Sequence, residues 1–407
     1  MCEVKSKYLL IISSVVFILF ILYSCQRSSP QEKAYAHNIV PLTKHWEKAI
    51  PHQEIPEGLT SITAESCGSC HQEIYKEWKQ STHAVAFQDL QFQAEWNKDN
   101  TYVCLNCHTP LQNQQEFIIT GLIDGDHKNP VKEPNQHFDQ KLQLESITCA
   151  SCHVRNGMVI GTIGTDNAPH KTLRDTVFLS EQLCIGCHNV VGELNPVLVC
   201  TFETGDEWQN NWASKQGLNC ISCHMTEMDR MLSPNGEKRR SHFHGFPGSG
   251  IPKFYHMEVT GLESLEITEG SVKPRYAVGE KLKYTLVLKN SFAGHKVPTG
   301  DPERFFMVNF SVLDETGGLL KQLSYRIGEE WQWHPIAKKI SDNNLNPLEE
   351  RAFEFEYEIP AKNNLTLTVG VSKHRITKEN AEYNGILGKY PLFIEVYQKE
   401  YALKIYK

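Results

Sequence analysis

Cys67-Gly-Ser-Cys70-His71, Cys104-Leu-Asn-Cys107-His108, Cys149-Ala-Ser-Cys152-His153, Cys184-Ile-Gly-Cys187-His188 and Cys220-Ile-Ser-Cys223-His224 are one pattern, Cys-x-x-Cys-His, written five times. It is the attachment signature of a c-type haem. Two thiols about one helical turn apart add to the two vinyl groups of one porphyrin, and the next residue presents its imidazole to the iron. A single such pentapeptide would also suit a redox dithiol or half a zinc site. Five copies argue against both, because a zinc or disulfide scheme leaves the histidine after every pair unexplained. The pattern implies five covalent haems, with His71, His108, His153, His188 and His224 as proximal ligands.

Working outward, the chain has 407 residues, room for two or three domains. Its formal net charge is -7, and no basic cluster points to nucleic acid. Of thirteen cysteines, only Cys2, Cys25 and Cys200 lie outside the motifs. Haem attachment is extracytoplasmic chemistry, and the N-terminus reads the same way. Lys5 and Lys7 precede an apolar run from Tyr8 to Tyr23, short for a membrane span and suited to a signal sequence. Leu22-Tyr23-Ser24-Cys25 is similar to a bacterial lipobox, which makes residues 1–24 a signal peptide and Cys25 the lipidated residue. An uncleaved anchor is the alternative, and either tethers the protein to a membrane.

Residues 25–60 are polar and carry four prolines, as a tether does. His37, His45 and His52 read as solvated side chains there, with reaching back to an iron as the alternative for each. Residues 61–252 hold the motifs, with helical stretches expected at 64–89, 180–188 and 207–216 and loops elsewhere. From residue 253 the cysteines stop and apolar and polar residues alternate over 281–289, 305–313, 351–359 and 365–371, with turn signals between. The expected fold is an α and irregular multihaem cytochrome c domain, then an all-β, broadly immunoglobulin-like sandwich over 253–407.

The run Cys67-Gly-Ser-Cys70-His71-Gln-Glu-Ile-Tyr-Lys-Glu-Trp78-Lys-Gln-Ser81-Thr-His83 resembles the first haem segment of the cytochrome c-554 type of multihaem cytochromes. That group is related to hydroxylamine oxidoreductase and the pentahaem nitrite reductases. The resemblance implies that His83 is a distal iron ligand. Ala168-Pro-His170 and His244-Gly-Phe-Pro-Gly248 are similar to distal-ligand positions, with His242 a close competitor. Asn290-Ser-Phe-Ala-Gly294-His295-Lys-Val-Pro298-Thr-Gly300 resembles a loop that projects a histidine from a β-domain fused to such cytochromes. His83, His170, His244 and His295 are thus four distal candidates where five are needed. His127, His137, His256, His334 and Met225 are weaker options.

The chain lacks the Cys-x-x-Cys-Lys haem of the common nitrite reductases and the eight haems of hydroxylamine oxidoreductase. It is therefore expected to be an electron carrier with no catalytic residue. Its partners would be other redox proteins, such as quinol-linked cytochromes or terminal reductases, in the periplasm or on the cell surface. The competing reading is an enzyme with one open iron, acting on hydroxylamine, nitrite or a tetrathionate-like species. A third makes the β-domain a partner-binding module with the haems as relay. Trp78, Trp96, Trp208 and Trp212 are candidates to stack on porphyrins or to fill the core. Asp126, Asp139 and Glu145 are a minor candidate for calcium or proton relay. Cys200 reads as a buried thiol.

Overall fold

The computed structural model describes residues 38–406 except 167, 196–197, 235, 334 and 362–363, with backbone alone at 193–195 and 198–200. The signal sequence, Cys25, His37 and His334 lie outside the described residues, as does the side chain of Cys200. Among the described residues no helix is long and apolar enough to cross a membrane.

The motif-bearing segment is a set of short elements. Helices α1 (Ala64–Gly68), α2 (Gln72–Lys79), α3 (Leu90–Asp99), α4 (Tyr102–His108), α5 (Gln140–Leu144), α6 (Cys149–His153), α7 (Glu181–His188), α8 (Thr204–Gln209), α9 (Trp212–Lys215) and α10 (Cys220–His224) follow one another. Small sheets lie between them: β1–β2–β3 (Ile39–Val40, Phe117–Ile123, Pro130–Pro134), β4–β5–β6 (Val154–Arg155, Met158–Gly161, Thr172–Arg174), β7–β8 (Asn189–Asn195, Leu198–Glu203) and β9–β10 (Glu227–Met231, Lys238–His242).

The expected helix over 64–89 is broken at Ser69 and again at Gln80, and the one over 207–216 at Asn210. The stretches expected as loop contain the small sheets, whose strands are too short to announce themselves by alternation. The expected tether is docked from residue 38 on. Trp46 joins Tyr102, Val103 and Leu122 in one cluster, and Gln53 is 2% exposed.

The C-terminal part has a single core. A three-stranded sheet, β11–β13–β17 (Leu265–Thr268, Lys281–Asn290, Glu350–Glu358), faces a six-stranded one, β12–β19–β18–β14–β15–β16 (Arg275–Ala277, Phe393–Tyr406, Leu365–His374, Phe305–Asp314, Leu319–Gln332, Lys338–Asp342). The alternation does what a half-buried strand requires. Leu282, Tyr284, Leu286 and Leu288 of β13 point inward while Lys281, Lys283 and Thr285 point out. They meet Val308, Phe310 and Val312 of β14 and Leu367, Val369 and Val371 of β18, all in one cluster. β15 and β19, which alternate poorly, were not expected from the sequence.

The two parts are joined by a seam. Leu90 and Ala94 of α3 pack against Ile376, Ala381, Ile386 and Tyr390 around helix α11 (Lys378–Tyr383). Asp89 forms a buried ion pair with Lys253, whose ammonium also approaches the Tyr390 hydroxyl at 3.5 Å.

Candidate haem-binding site

Each motif occupies one helical turn, and local sequence explains why. In α1 the Thr63 side chain accepts from Ser66 N, and the Glu145 carboxylate accepts from Ala64 N at 2.6 Å. In α10 Asn219 and Ser222 form a reciprocal cap. His108, His153, His188 and His224 are each the last residue of their helix, and His71 N donates to Cys67 O at 2.9 Å. Both cysteines and the histidine therefore share one helix face, as one porphyrin needs.

The motifs also meet one another. The thiol of Cys67 lies close enough to that of Cys149 to influence it, as Cys184 does with Cys220 and Cys107 with Cys187. Cys152 lies near Cys187. Five attachment points scattered over the sequence become one contiguous group. Cys70 and Cys223 are its exposed members.

The histidines pair across the chain. His71 faces His170 with ring centres 6.3 Å apart, His83 faces His188 at 6.3 Å, His153 faces His244 at 6.2 Å, and His224 faces His295 at 6.3 Å. An iron between two imidazoles holds each nitrogen at about 2 Å, as in other imidazole–metal bonds, so ring centres must fall roughly 6 Å apart. The four spacings fit that requirement.

The imidazoles are also oriented for ligation. His71 Nδ1 donates to Leu232 O (2.8 Å), His108 to Ala86 O (2.8 Å), His153 to Ile160 O (2.9 Å), His224 to Pro247 O (2.7 Å), His244 to His242 O (2.8 Å) and His295 to Lys296 O (2.8 Å). Each such bond leaves Nε2 free to ligate a metal and would raise its basicity. Burial favours the neutral ring in His83, His108, His153, His170, His188, His244 and His295. It is the main cause that brings His83 down to about 3 and His188, His244 and His295 to about 4, with neighbouring charges adding to it.

No distal candidate faces the nearest motif in sequence. His83 follows the first motif and meets the fourth. His170 lies after the third and meets the first. His244 follows the fifth and meets the third. His295 comes from the β-domain and meets the fifth.

Among the described residues no imidazole faces His108 in this way. One face of its ring is covered by Phe92, parallel at 3.8 Å. The weaker candidates are engaged elsewhere: His127 Nε2 with Glu47 (2.9 Å), His137 beside His52, His256 beside Phe254. His242 Nδ1 donates to Met225 O at 2.8 Å. His45 is exposed.

Other sequence candidates serve the fold. Asp126 and Asp139 cap their own turns, and Glu145 caps α1. No cluster of metal-ligating side chains of the ordinary kind occurs among the described residues. Trp78 is core, its indole donating to Ile147 O at 2.8 Å. The carbonyls that hold the ligand imidazoles left no trace in the sequence, because any residue supplies one.

Residues 66–154 match the family model described as cytochrome c554 and c-prime. The fold is similar to that of a penta-heme cytochrome c552 from Thermochromatium tepidum, at 16% identity and a TM-score of 0.58, covering 85% of this chain and 100% of that one. The CARDB domain of the PF1109 protein from Pyrococcus furiosus aligns with 35% of this chain and 86% of its own at 15% identity, but its TM-score of 0.19 is too low to carry an argument. No curated protein matches the chain. The first two likenesses support a multihaem c-type cytochrome with covalently bound haem c.

Proposed function

We propose that this protein is an extracytoplasmic, membrane-tethered electron carrier with five c-type haems. The observation that carries the reading is the set of four facing imidazole pairs at 6.2–6.3 Å, each joining a motif histidine to one from elsewhere in the chain. Haem iron so ligated exchanges one electron and leaves no position for a substrate. The chain's own residues fix His71, His153, His224, His244 and His295 by an Nδ1 bond to a backbone carbonyl, favour the neutral form of His83, His153, His170, His188, His244 and His295 by burial, and bring attachment cysteines of different motifs beside one another. Contiguous sites favour electron hopping from one to the next. Redox proteins such as quinol-linked cytochromes and terminal reductases suit it as partners, with Cys25 supplying the membrane tether. The C-terminal sandwich is a docking and stabilising module of broadly immunoglobulin-like character, clamped on through His295.

His108 favours a second reading beside the first. With no imidazole opposite, an iron held there would keep one position open to a small nitrogen or sulfur species such as hydroxylamine, nitrite or a tetrathionate-like compound.

Electron paramagnetic resonance of the oxidised protein, quantified against total haem, tests both. Four low-spin irons and one high-spin iron that binds carbon monoxide or nitrite would join the two readings. Five low-spin irons inert to both ligands would end the enzyme reading. Fewer than four low-spin irons would sink the carrier as drawn.

A further inference from the structure

Phe246 stands between two of the imidazole pairs. Its ring centre lies 4.5 Å from that of His83, tilted by 57°, and 5.9 Å from that of His244, edge-on at 82°. His83 faces His188 and His244 faces His153, so one phenyl ring neighbours the non-motif imidazole of two different pairs. The next residue serves a third pair, because Pro247 O accepts from His224 Nδ1 at 2.7 Å.

The backbone at Phe246 is held where a phenylalanine seldom goes. Its φ is +45°, in the left-handed region that a bulky residue enters only under constraint. It also precedes Pro247, and the residue before a proline has fewer backbone conformations open to it. Gly245, one position earlier, does not take the left-handed turn. Its small size is used for closeness instead, since a Cβ there would collide with the Phe243 ring. Strain of this kind persists where the surroundings over-determine it, and it gathers at functional positions.

The surroundings of Phe246 are rigid. Its ring packs against the cluster of Ala64, Trp78 and Ala84. Trp78 Nε1 donates to Ile147 O at 2.8 Å, and Ile147 N donates to His83 O at 3.2 Å, so the phenyl ring and the His83 backbone rest on one wall. Upstream, His244 N donates to Glu77 Oε2 at 2.9 Å, and Glu77 is paired with Arg230 at 2.8 Å.

Five of the eight paired imidazoles are turned by a backbone carbonyl. A sixth, His170, has Thr172 Oγ1 at 3.3 Å from Nδ1. Among the described residues, no hydrogen bond holds the ring of His83 or that of His188. An imidazole bound to a metal through Nε2 turns about that bond unless a neighbour fixes its plane. At His83 the neighbour is a phenyl ring.

We infer that Phe246 is a positioning residue whose ring sets the plane of the His83 imidazole, and so the 52° angle between the two imidazoles of that pair. This rests on the four-pair reading above. In a low-spin ferric haem, the angle between the axial imidazole planes sets the splitting of the iron d orbitals and, with it, the g values. The tilted His83–His188 pair and the His224–His295 pair, only 19° from parallel, should therefore give different signals. A glycine would make the turn at Phe246 without strain, but it would leave His83 unsupported.

The test is electron paramagnetic resonance of oxidised full-length holoprotein carrying Phe246→Ala, Phe246→Gly, Phe246→Leu or Phe246→Tyr. The low-spin signal lost in His83→Ala assigns the haem. In the Ala, Gly and Leu variants that signal should shift and broaden, with the haem count and the number of low-spin irons unchanged. The Tyr variant keeps a ring and should hold the wild-type g values. The signals lost in His244→Ala and His295→Ala should stay in place, because carbonyls already fix those imidazoles.

The Gly variant separates ring from backbone, since it removes the phenyl group and the left-handed strain together. Wild-type signals in that variant would overturn the inference. So would an unchanged His83 signal in Ala and Leu, or a Tyr variant that shifts as far as Ala. A shift confined to the His224–His295 haem would also overturn it, by placing the effect in the carbonyl of Pro247. If the Ala variant loses haem, the Leu and Tyr variants decide. A His83→Ala protein that keeps every low-spin signal sinks the four-pair reading itself and this inference with it, whereas the other outcomes sink the inference alone.

Discussion

The two halves of the molecule solve the problem of a core differently. The β-domain buries one continuous cluster from Leu265 to Leu403, built by two facing sheets. The haem segment has only small separate clusters, around Trp46, around Leu111 and Leu142, and around Trp78. Its helices are one to three turns long, below what is stable alone. What lies between those clusters is the array of motif cysteines and facing imidazoles. Bound porphyrins would supply there the apolar volume that Leu, Val and Phe supply in the β-domain. One half carries its core in its sequence, and the other imports it.

The largest test of that contrast removes the imported core. With every motif cysteine changed to serine, residues 38–252 should lose protease resistance while the sandwich from Leu265 onward keeps it. Limited proteolysis followed by mass spectrometry reads both halves at once. A haem-free segment that stayed resistant would break the comparison.

A cut in the native core comes next. Phe310 is fully buried and stacks on Phe355 at 5.4 Å. Phe310→Ala should cost about 3–5 kcal/mol. The expected result is an earlier urea transition of the sandwich with haem absorption unchanged before it. Loss of haem signal at the start of that transition would show the halves to be one cooperative unit.

The link between the halves is the third target. His295→Ala should convert one low-spin iron to high-spin, quantified by electron paramagnetic resonance, and leave the sandwich folded by proteolysis. Unchanged spin states would remove His295 from the ligand set and the clamp with it.

The smallest effect concerns the N-terminal strap. Glu47 accepts from Thr43 N, Lys44 N and His127 Nε2 at 2.7–2.9 Å. Burial pushes its carboxyl up, but these bonds outweigh it and hold it below the ordinary 4.5. A depressed folded value means the stabilisation is complete above 4.5 and is lost as pH falls through the folded value. Glu47→Gln should cost about 1 kcal/mol at neutral pH. The difference from wild type should shrink in urea titrations below pH 4.5. A gap that persists in acid would assign the effect to packing.

How much could be read in advance follows the same division. Alternation in Lys281–Asn290 and Phe305–Asp314 disclosed the strands of the β-rich C-terminal part, because each residue's face is set by its neighbours one and two positions away. The long strand Phe393–Tyr406, between β18 and the short edge strand β12, escaped, because its partly solvated faces blur that alternation. The small sheets of the haem segment escaped too, since two to seven residues carry too little pattern.

The five Cys-x-x-Cys-His motifs, with their candidate attachment cysteines and proximal histidines, were legible in the sequence alone. Thiol addition and the first axial bond are made within one helical turn, so five adjacent residues suffice to specify them. The resemblance to known cytochromes named His83, His170, His244 and His295 as candidates but assigned none to a motif. That assignment belonged to tertiary structure, which carries His83 from beside His71 to His188 and brings His295 in from another domain to His224. It left His108 without an imidazole opposite among the described residues. The second axial bond joins residues far apart in the chain, so only the packed fold, with its imidazoles held about 6 Å apart and turned by backbone carbonyls, could decide it.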